Sequence, residues 1–168
     1  IGTGCGCLAL AVAAEEPRSR AVATDISPEA LEVVRLNAEA LGLLPRVTFL
    51  RGDVWDALPA SAQASFDLIL SNPPYVDPAL RQTLAPEVRE HEPAMALYAD
   101  DAGRAVLRRI VSRAGEFLRP GGWMGLEISP EQAAFAREAL EATGAFREVE
   151  VRRDARNCER HVVAMRRD

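Results

Sequence analysis

The sequence predicts an α/β domain built on a mostly parallel, doubly wound sheet, with an antiparallel hairpin at its C-terminal edge. Three observations carry that expectation. Short β-forming runs alternate with amphipathic stretches of helical period. A glycine loop, Gly2–Thr3–Gly4–Cys5–Gly6, runs straight into the alanine-rich stretch from Leu8 to Ala14. An apolar run from Phe66 to Ser71 stops abruptly at Asn72–Pro73–Pro74–Tyr75, as a buried strand delivering a stiff polar loop would.

The elements follow in order. Glycines in the first loop permit a tight turn, and the helix N-terminus behind them favours negative charge. Such a loop normally follows a strand, and only Ile1 precedes it here. The first central strand is therefore expected to be missing, as in an excerpt of a longer protein. Ala21–Asp25 is a strand ending in a carboxylate. Asp25 lies nineteen residues beyond Gly6, close to the spacing that sets an acid on a ribose, and Ile26 stands beside it. Ser27 caps the next helix, Pro28 opens it and Gly42 ends it. Leu31, Val34, Leu36, Ala38 and Leu41 supply its apolar face. Val47–Arg51 is a third strand, and Asp53 and Val54 follow it at the end that faces a ligand crevice.

Residues 76–103 hold Pro78, Pro86 and Pro93 with no clean periodicity, which reads as a long functional loop. A helix is expected from Ala102 to Leu118, with Ala105, Val106, Ile110, Ala114 and Phe117 on one face. Pro120–Gly121–Gly122 then breaks the chain before a strand from Trp123 to Ile128. Ser129–Pro130–Glu131 starts another helix that stops at Gly144. Phe146–Arg153 and Glu159–Met165 form the hairpin, joined by a short turn.

At 168 residues, 48% hydrophobic and 27% charged, the chain has the size and composition of one domain with a proper core. No apolar run approaches a membrane span and no signal peptide is visible, so a cytoplasmic protein is expected. Cys5, Cys7 and Cys158 lack metal-binding spacing, and no metal is implied. Cys5 and Cys7 read as small packing residues. All twenty basic residues are arginine, and net charge is −5. It divides into −8 over residues 1–101 and +3 over residues 102–168, so no basic stripe lies beside the candidate site. That argues against a nucleic-acid substrate, because phosphate neutralisation supplies most of such affinity.

The chemistry concentrates at Asn72–Tyr75. Each proline fixes its own φ and pushes its predecessor towards an extended conformation. The Asn72 side-chain oxygen and the Pro73 carbonyl then become a rigid pair of acceptors, and Tyr75 adds a flat face. A planar –NH2 group, with two donors in one plane, suits that arrangement.

With the glycine loop and Asp25, this motif resembles the class I, Rossmann-like methyltransferases that use S-adenosylmethionine to methylate planar amino nitrogens. Residues 86–97 (PEVREHEPAMAL) and the Asp154 … Asn157–Cys158–Glu159–Arg160 ending resemble the glutamine-N5 methyltransferases of peptide-chain release factors. The likeness extends over essentially the whole chain. It implies one catalytic domain over residues 1–168, without the family's N-terminal helical domain. It also implies S-adenosylmethionine as cofactor and a release factor as protein partner. The cofactor would lie on Gly2, Thr3, Gly4, Cys5 and Gly6 and beside Ile26, its ribose on Asp25, and its adenine near Asp53 and Val54. Asn72, also beside the cofactor, would hold the target amide with Pro73, flanked by Pro74 and Tyr75. Cys5 stands where the family commonly has Ser, Thr or Ala.

Three other readings compete. The same acceptor logic fits an adenine or guanine amino group in RNA or DNA. A ribosomal-protein glutamine is chemically equivalent to one in a release factor. A non-catalytic cofactor-binding module would keep the fold while losing the need for Asn72–Tyr75.

Overall fold

The computed structural model describes all of residues 1–168, and they divide into two compact units. The first comprises Ile1–Gln63 with Leu70–Asn72, and the second Ala64–Ile69 with Pro73–Asp168.

In the first unit, helix α1 (Cys7–Glu15) leads to strand β1 (Ala21–Asp25), helix α2 (Pro28–Ala40) and strand β2 (Val47–Arg51). Strands β1 and β2 pair in parallel from Ala21↔Val47 to Asp25↔Arg51, so both carboxyl ends emerge together. The Ser27 hydroxyl accepts from the Ala30 N–H at 3.0 Å and caps α2, with Pro28 in its first turn as expected. Leu10 and Ala13 of α1, Val34 and Ala38 of α2, Ala23 and Val47 share one core with Leu43. Leu36 and Leu41 do not join it: they are 50% and 59% exposed. The buried stripe of α2 is narrower than its apolar composition, because Val34 and Ala38, one turn apart, already fill the space against the sheet.

No strand precedes the glycine loop, as expected, and residues 1–3 bond to the ends of two strands. Thr3 N–H donates to the Thr24 carbonyl at 2.9 Å, and the Ile1 nitrogen donates to the Leu70 carbonyl at 2.9 Å. The Ser71 hydroxyl returns a bond to the Ile1 carbonyl at 2.8 Å. Ile1–Thr3 thus bonds to the ends of both β1 and the next strand. The strands form a two-stranded sheet and a four-stranded sheet.

Strand β3 (Phe66–Ser71) starts in the second unit and ends in the first. The expected loop 76–103 is built from short turns instead. It holds a 3-10 turn at Pro78–Thr83, α3 (Pro86–His91), α4 (Ala94–Leu97) and the one-turn α5 (Asp100–Gly103). Pro78 and Pro86 each open a turn, needing no N–H partner at a first helical position, and Pro93 stands at the N-cap of α4. Helix α6 (Ala105–Phe117) starts three residues later than expected, because Asp101 and Ala102 are left-handed, at φ 56° and 52°. Its buried stripe is Leu107, Ile110, Val111, Ala114 and Phe117, the spacing of one helical face. Ala105 and Val106 are only half-buried.

Strand β4 (Leu118–Glu127) runs through Pro120–Gly121–Gly122, but its ladder with β6 (Glu159–Arg166) spans only Trp123↔Met165 to Glu127↔His161. The proline and glycines thus occupy the part that β6 leaves unpaired. Helix α7 (Ala133–Ala142) precedes β5 (Phe146–Arg153), and the sheet order is β3-β4-β6-β5. Both β4 and β5 run antiparallel to β6, so the C-terminal hairpin is present. Leu107, Ile110, Leu126, Ile128, Leu140 and Val162 are fully shielded and form this unit's interior.

Candidate functional site

Every residue assigned above to the cofactor lies in the first unit: Gly2–Gly6, Asp25, Ile26, Asp53, Val54 and Asn72. Pro73, Pro74 and Tyr75 open the second stretch of the other unit.

The loop owes its shape to three glycines at positive φ: Gly2 at 61°, Gly4 at 53° and Gly6 at 92°. They serve two purposes. A Cβ on Gly2 or Gly4 would meet nothing within 4 Å, so their outer side is open to a ligand. A Cβ on Gly6 would fall 2.3 Å from Val34 Cγ2, so this glycine lets the loop pack on α2. The loop is fastened further by Asn37 of α2, whose side-chain N–H donates to the Cys5 carbonyl at 2.8 Å.

Asp25 is the hub. Its Oδ2 accepts from the Gly4 N–H at 2.9 Å and its Oδ1 from the Ser27 N–H at 3.0 Å. Its carbonyl accepts from the Gly52 N–H at 3.0 Å, which ties in the turn after β2. Each carboxylate oxygen can accept two bonds, so one position on each remains for ligand hydroxyls. Ile26 is 47% exposed beside it, an apolar surface free to cover a ring. Asp53 is partly exposed, whereas Val54 is 8% exposed and adopts φ 53°, a rare conformation for a β-branched residue. Val54 is thus packed mainly within the protein. Asn72 is exposed at the end of β3, where Ile1 and Ser71 hold the strand tip. An open glycine cradle, a carboxylate with spare acceptor capacity and an exposed apolar side chain match what a nucleoside with a charged tail requires.

The second unit holds Tyr75 by means that local sequence did not reveal. The buried Gln132 donates from Nε2 to the Gly103 carbonyl at 2.7 Å and to the Tyr75 carbonyl at 3.3 Å. Val76 closes the excursion by bonding the Leu97 carbonyl at 2.9 Å and the Ala99 N–H at 3.0 Å. Gly103 passes so close that a Cβ would lie 2.0 Å from the Tyr75 carbonyl oxygen. The one local sign of Gln132's role is its place in Ser129–Pro130–Glu131–Gln132, a capping box in which Gln132 turns back to the Ser129 N–H.

Tyr75 is half-buried. Burial, and after it the Glu127 carboxylate, push its hydroxyl above the ordinary tyrosine value, while Arg160 acts in the opposite sense. Arg160 in turn faces Asp154 at 3.6 Å. Asp154 accepts from the Cys158 N–H at 3.0 Å and the Arg156 N–H at 2.8 Å, shaping the hairpin turn. The distinctive ending noted above thus has a structural role: it orients Arg160 towards Tyr75.

Cys5 and Cys7 depart from expectation. Both are exposed and their sulfurs lie 3.3 Å apart, so they are not packing residues. Alternation across the helix start turns both outward while Gly6 faces inward.

The solved structures similar to this chain carry the fold of class I methyltransferases. A methyltransferase from Pyrococcus furiosus matches with a TM-score of 0.71 at 18% identity, over 100% of this chain and 73% of that one. Ribosomal protein L11 methylase from Lactobacillus delbrueckii subsp. bulgaricus matches with a TM-score of 0.69 at 20% identity, over 99% and 67%. These likenesses establish a Rossmann-like methyltransferase fold. The chain belongs to the family described as methyltransferase small domain, whose profile matches residues 1–88. It is 43% identical to the release factor glutamine methyltransferase of Deinococcus radiodurans, over 99% of this chain and 56% of that protein. It is 40% identical to the release factor glutamine methyltransferase of Moorella thermoacetica, over 99% and 58%. The chain therefore spans little more than half the length of these relatives.

Proposed function

We propose that this chain is the catalytic domain of an S-adenosylmethionine-dependent enzyme that methylates the side-chain amide nitrogen of a glutamine in peptide-chain release factors. One observation carries the reading above the rest: Asn72 is exposed at the tip of β3, in the same unit as the open glycine loop and Asp25. The names of the relatives favour a release-factor glutamine over a nucleobase, and so does the scarcity of positive charge in residues 1–101.

The residues divide the work. Gly2 and Gly4 give the backbone its approach to the cofactor while Gly6 seats the loop on α2, Asp25 receives ribose hydroxyls, and Ile26 with Asp53 borders the adenine, backed by the buried Val54. When bound, S-adenosylmethionine supplies a methyl group already activated by the positive charge on sulfur. An amide nitrogen is a weak nucleophile because its lone pair is delocalised. The protein's task is therefore to orient that nitrogen at near-attack distance. The Asn72 side-chain oxygen and the Pro73 carbonyl accept from the two amide N–H groups, fixing the plane of the amide. The same bonds stabilise positive charge as it develops on nitrogen. Pro74 keeps the acceptors stiff, and Tyr75 offers its ring beside them. Water takes the departing proton.

The test uses the full-length parent protein, labelled S-adenosylmethionine, and purified release factor and bulk RNA as competing acceptors. Label in the release factor is expected. Label in RNA alone would overturn the substrate while leaving the cofactor assignment standing.

A further inference from the structure

We propose that Cys5 and Cys7 form a reversible oxidation site, a dithiol that closes to a disulfide across Gly6. The two sulfurs already lie 3.3 Å apart as donor and acceptor, and a disulfide of about 2.05 Å requires only a small further approach. Both thiols are exposed. They line an open groove of about 400 Å³ between α1 and α2, bordered by Leu10, Ala11, Asn37 and Leu41, which admits a small oxidant. The residue between them has no side chain to obstruct ring closure.

The oxidant is a hydroperoxide, and the electrons balance in two steps. One thiolate attacks a peroxide oxygen, the O–O bond breaks, and a sulfenic acid forms with release of water or an alcohol. The second thiol then displaces water from that sulfur and the S–S bond forms. Two thiols lose two protons and two electrons, which the peroxide takes up. Exposed disulfides of this kind are readily reduced, so the change reverses with a dithiol.

The consequence follows from how the loop is held. The Cys5 carbonyl is bonded to Asn37, the Gly4 N–H to Asp25 and the Gly6 N–H to the Thr3 carbonyl. Drawing Cys5 towards Cys7 pulls against all three fastenings and deforms the cradle. The expected effect on S-adenosylmethionine rests on the proposed role of this loop, whereas formation of the bond does not.

The experiment uses the full-length protein in a Cys158→Ser background, reduced and then treated with hydrogen peroxide. Peptide mass should show loss of two hydrogens within the fragment holding residues 1–18, reversed by dithiothreitol and absent from Cys7→Ser. Affinity for S-adenosylmethionine should fall by about ten-fold or more on oxidation, and recover on reduction. Failure to find the linked fragment would overturn the site. A linked fragment with unchanged affinity would overturn its effect on the loop. A reduced protein that binds no S-adenosylmethionine would overturn the loop's assigned role, and the mass result would still decide the disulfide on its own.

Discussion

The carboxylate of Asp25 holds the glycine loop directly: its Oδ2 accepts the Gly4 N–H at 2.9 Å, across twenty-one residues of chain. The same side chain bonds the first turn before α2 through Ser27. One residue thus fixes the loop and, in the proposed function, also receives the ribose. Asp25→Ala should therefore do two things at once. Two backbone N–H groups lose their acceptor, which costs about 1–3 kcal/mol of stability. Affinity for S-adenosylmethionine should fall by about ten-fold or more, because ligand hydroxyls lose a charged partner. Denaturant titration and calorimetry check the two parts separately. Lower stability with unchanged affinity would leave Asp25 a purely structural residue.

Asn72→Ala should separate binding from chemistry. The side chain is exposed and carries none of the loop's fastenings, so cofactor affinity should stay within about two-fold. Methyl transfer should fall by about 100-fold to 1,000-fold, the usual cost of losing one donor or acceptor aimed at developing charge. Single-turnover transfer and equilibrium binding on the same preparation give the comparison. Equal losses in both would contradict the assigned division of labour.

Gly103 tests the closure of the segment after Tyr75. At φ 79°, and with a Cβ position 2.0 Å from the Tyr75 carbonyl, Gly103→Ala must both strain its own backbone and displace a neighbour. A loss of about 2–4 kcal/mol is expected. Gly144 is the control, at φ 68° with nothing within 4 Å, and Gly144→Ala should cost only about 1–2 kcal/mol. Urea midpoints of the two variants measure the difference. Equal midpoints would mean that the Tyr75 backbone moves aside freely.

Tyr75 gives a pH dependence with a definite sign. Burial and Glu127 raise it above the ordinary value of 10.0. The unfolded chain releases this proton first, so the folded state holds more protons in the window above pH 10. The associated stability is complete below that pH and is lost as pH rises from there through the higher value in the folded protein. Tyr75→Phe should flatten this part of the stability profile from about pH 10 upward, starting at the ordinary tyrosine value. An identical slope in both proteins would mean that neither burial nor Glu127 raises this hydroxyl.

What the sequence made legible, and what it hid, divides along physical lines. Ala21–Asp25, Val47–Arg51 and Phe146–Arg153 are strands with the expected bounds, because short β-forming runs met strong turn residues at their ends. The Ser27 cap was legible for the same local reason. Composition alone could not show which apolar residues of an amphipathic helix face inward. Leu36 and Leu41 point out, while Leu107 and Val111 replace Ala105 and Val106 in the buried stripe. The link from Gln132 to Tyr75 spans 57 residues, and no periodicity encodes it. Likewise, the pairing of Arg160 with Asp154 and its bearing on Tyr75 emerge only once the hairpin is folded. The left-handed turn at Asp101 and Ala102 runs against the preference of both residues, so local sequence could not signal it.

The most direct test is to locate the transferred methyl group at the level of the atom. The full-length parent is incubated with release factor and labelled S-adenosylmethionine, and the product is fragmented to assign the modified side chain. A single methyl on the amide nitrogen of a glutamine, formed at least about 100-fold more slowly with Asn72→Ala, is the predicted result. Methyl on a carboxylate, an arginine or an RNA base, or transfer at an undiminished rate in Asn72→Ala, would contradict it.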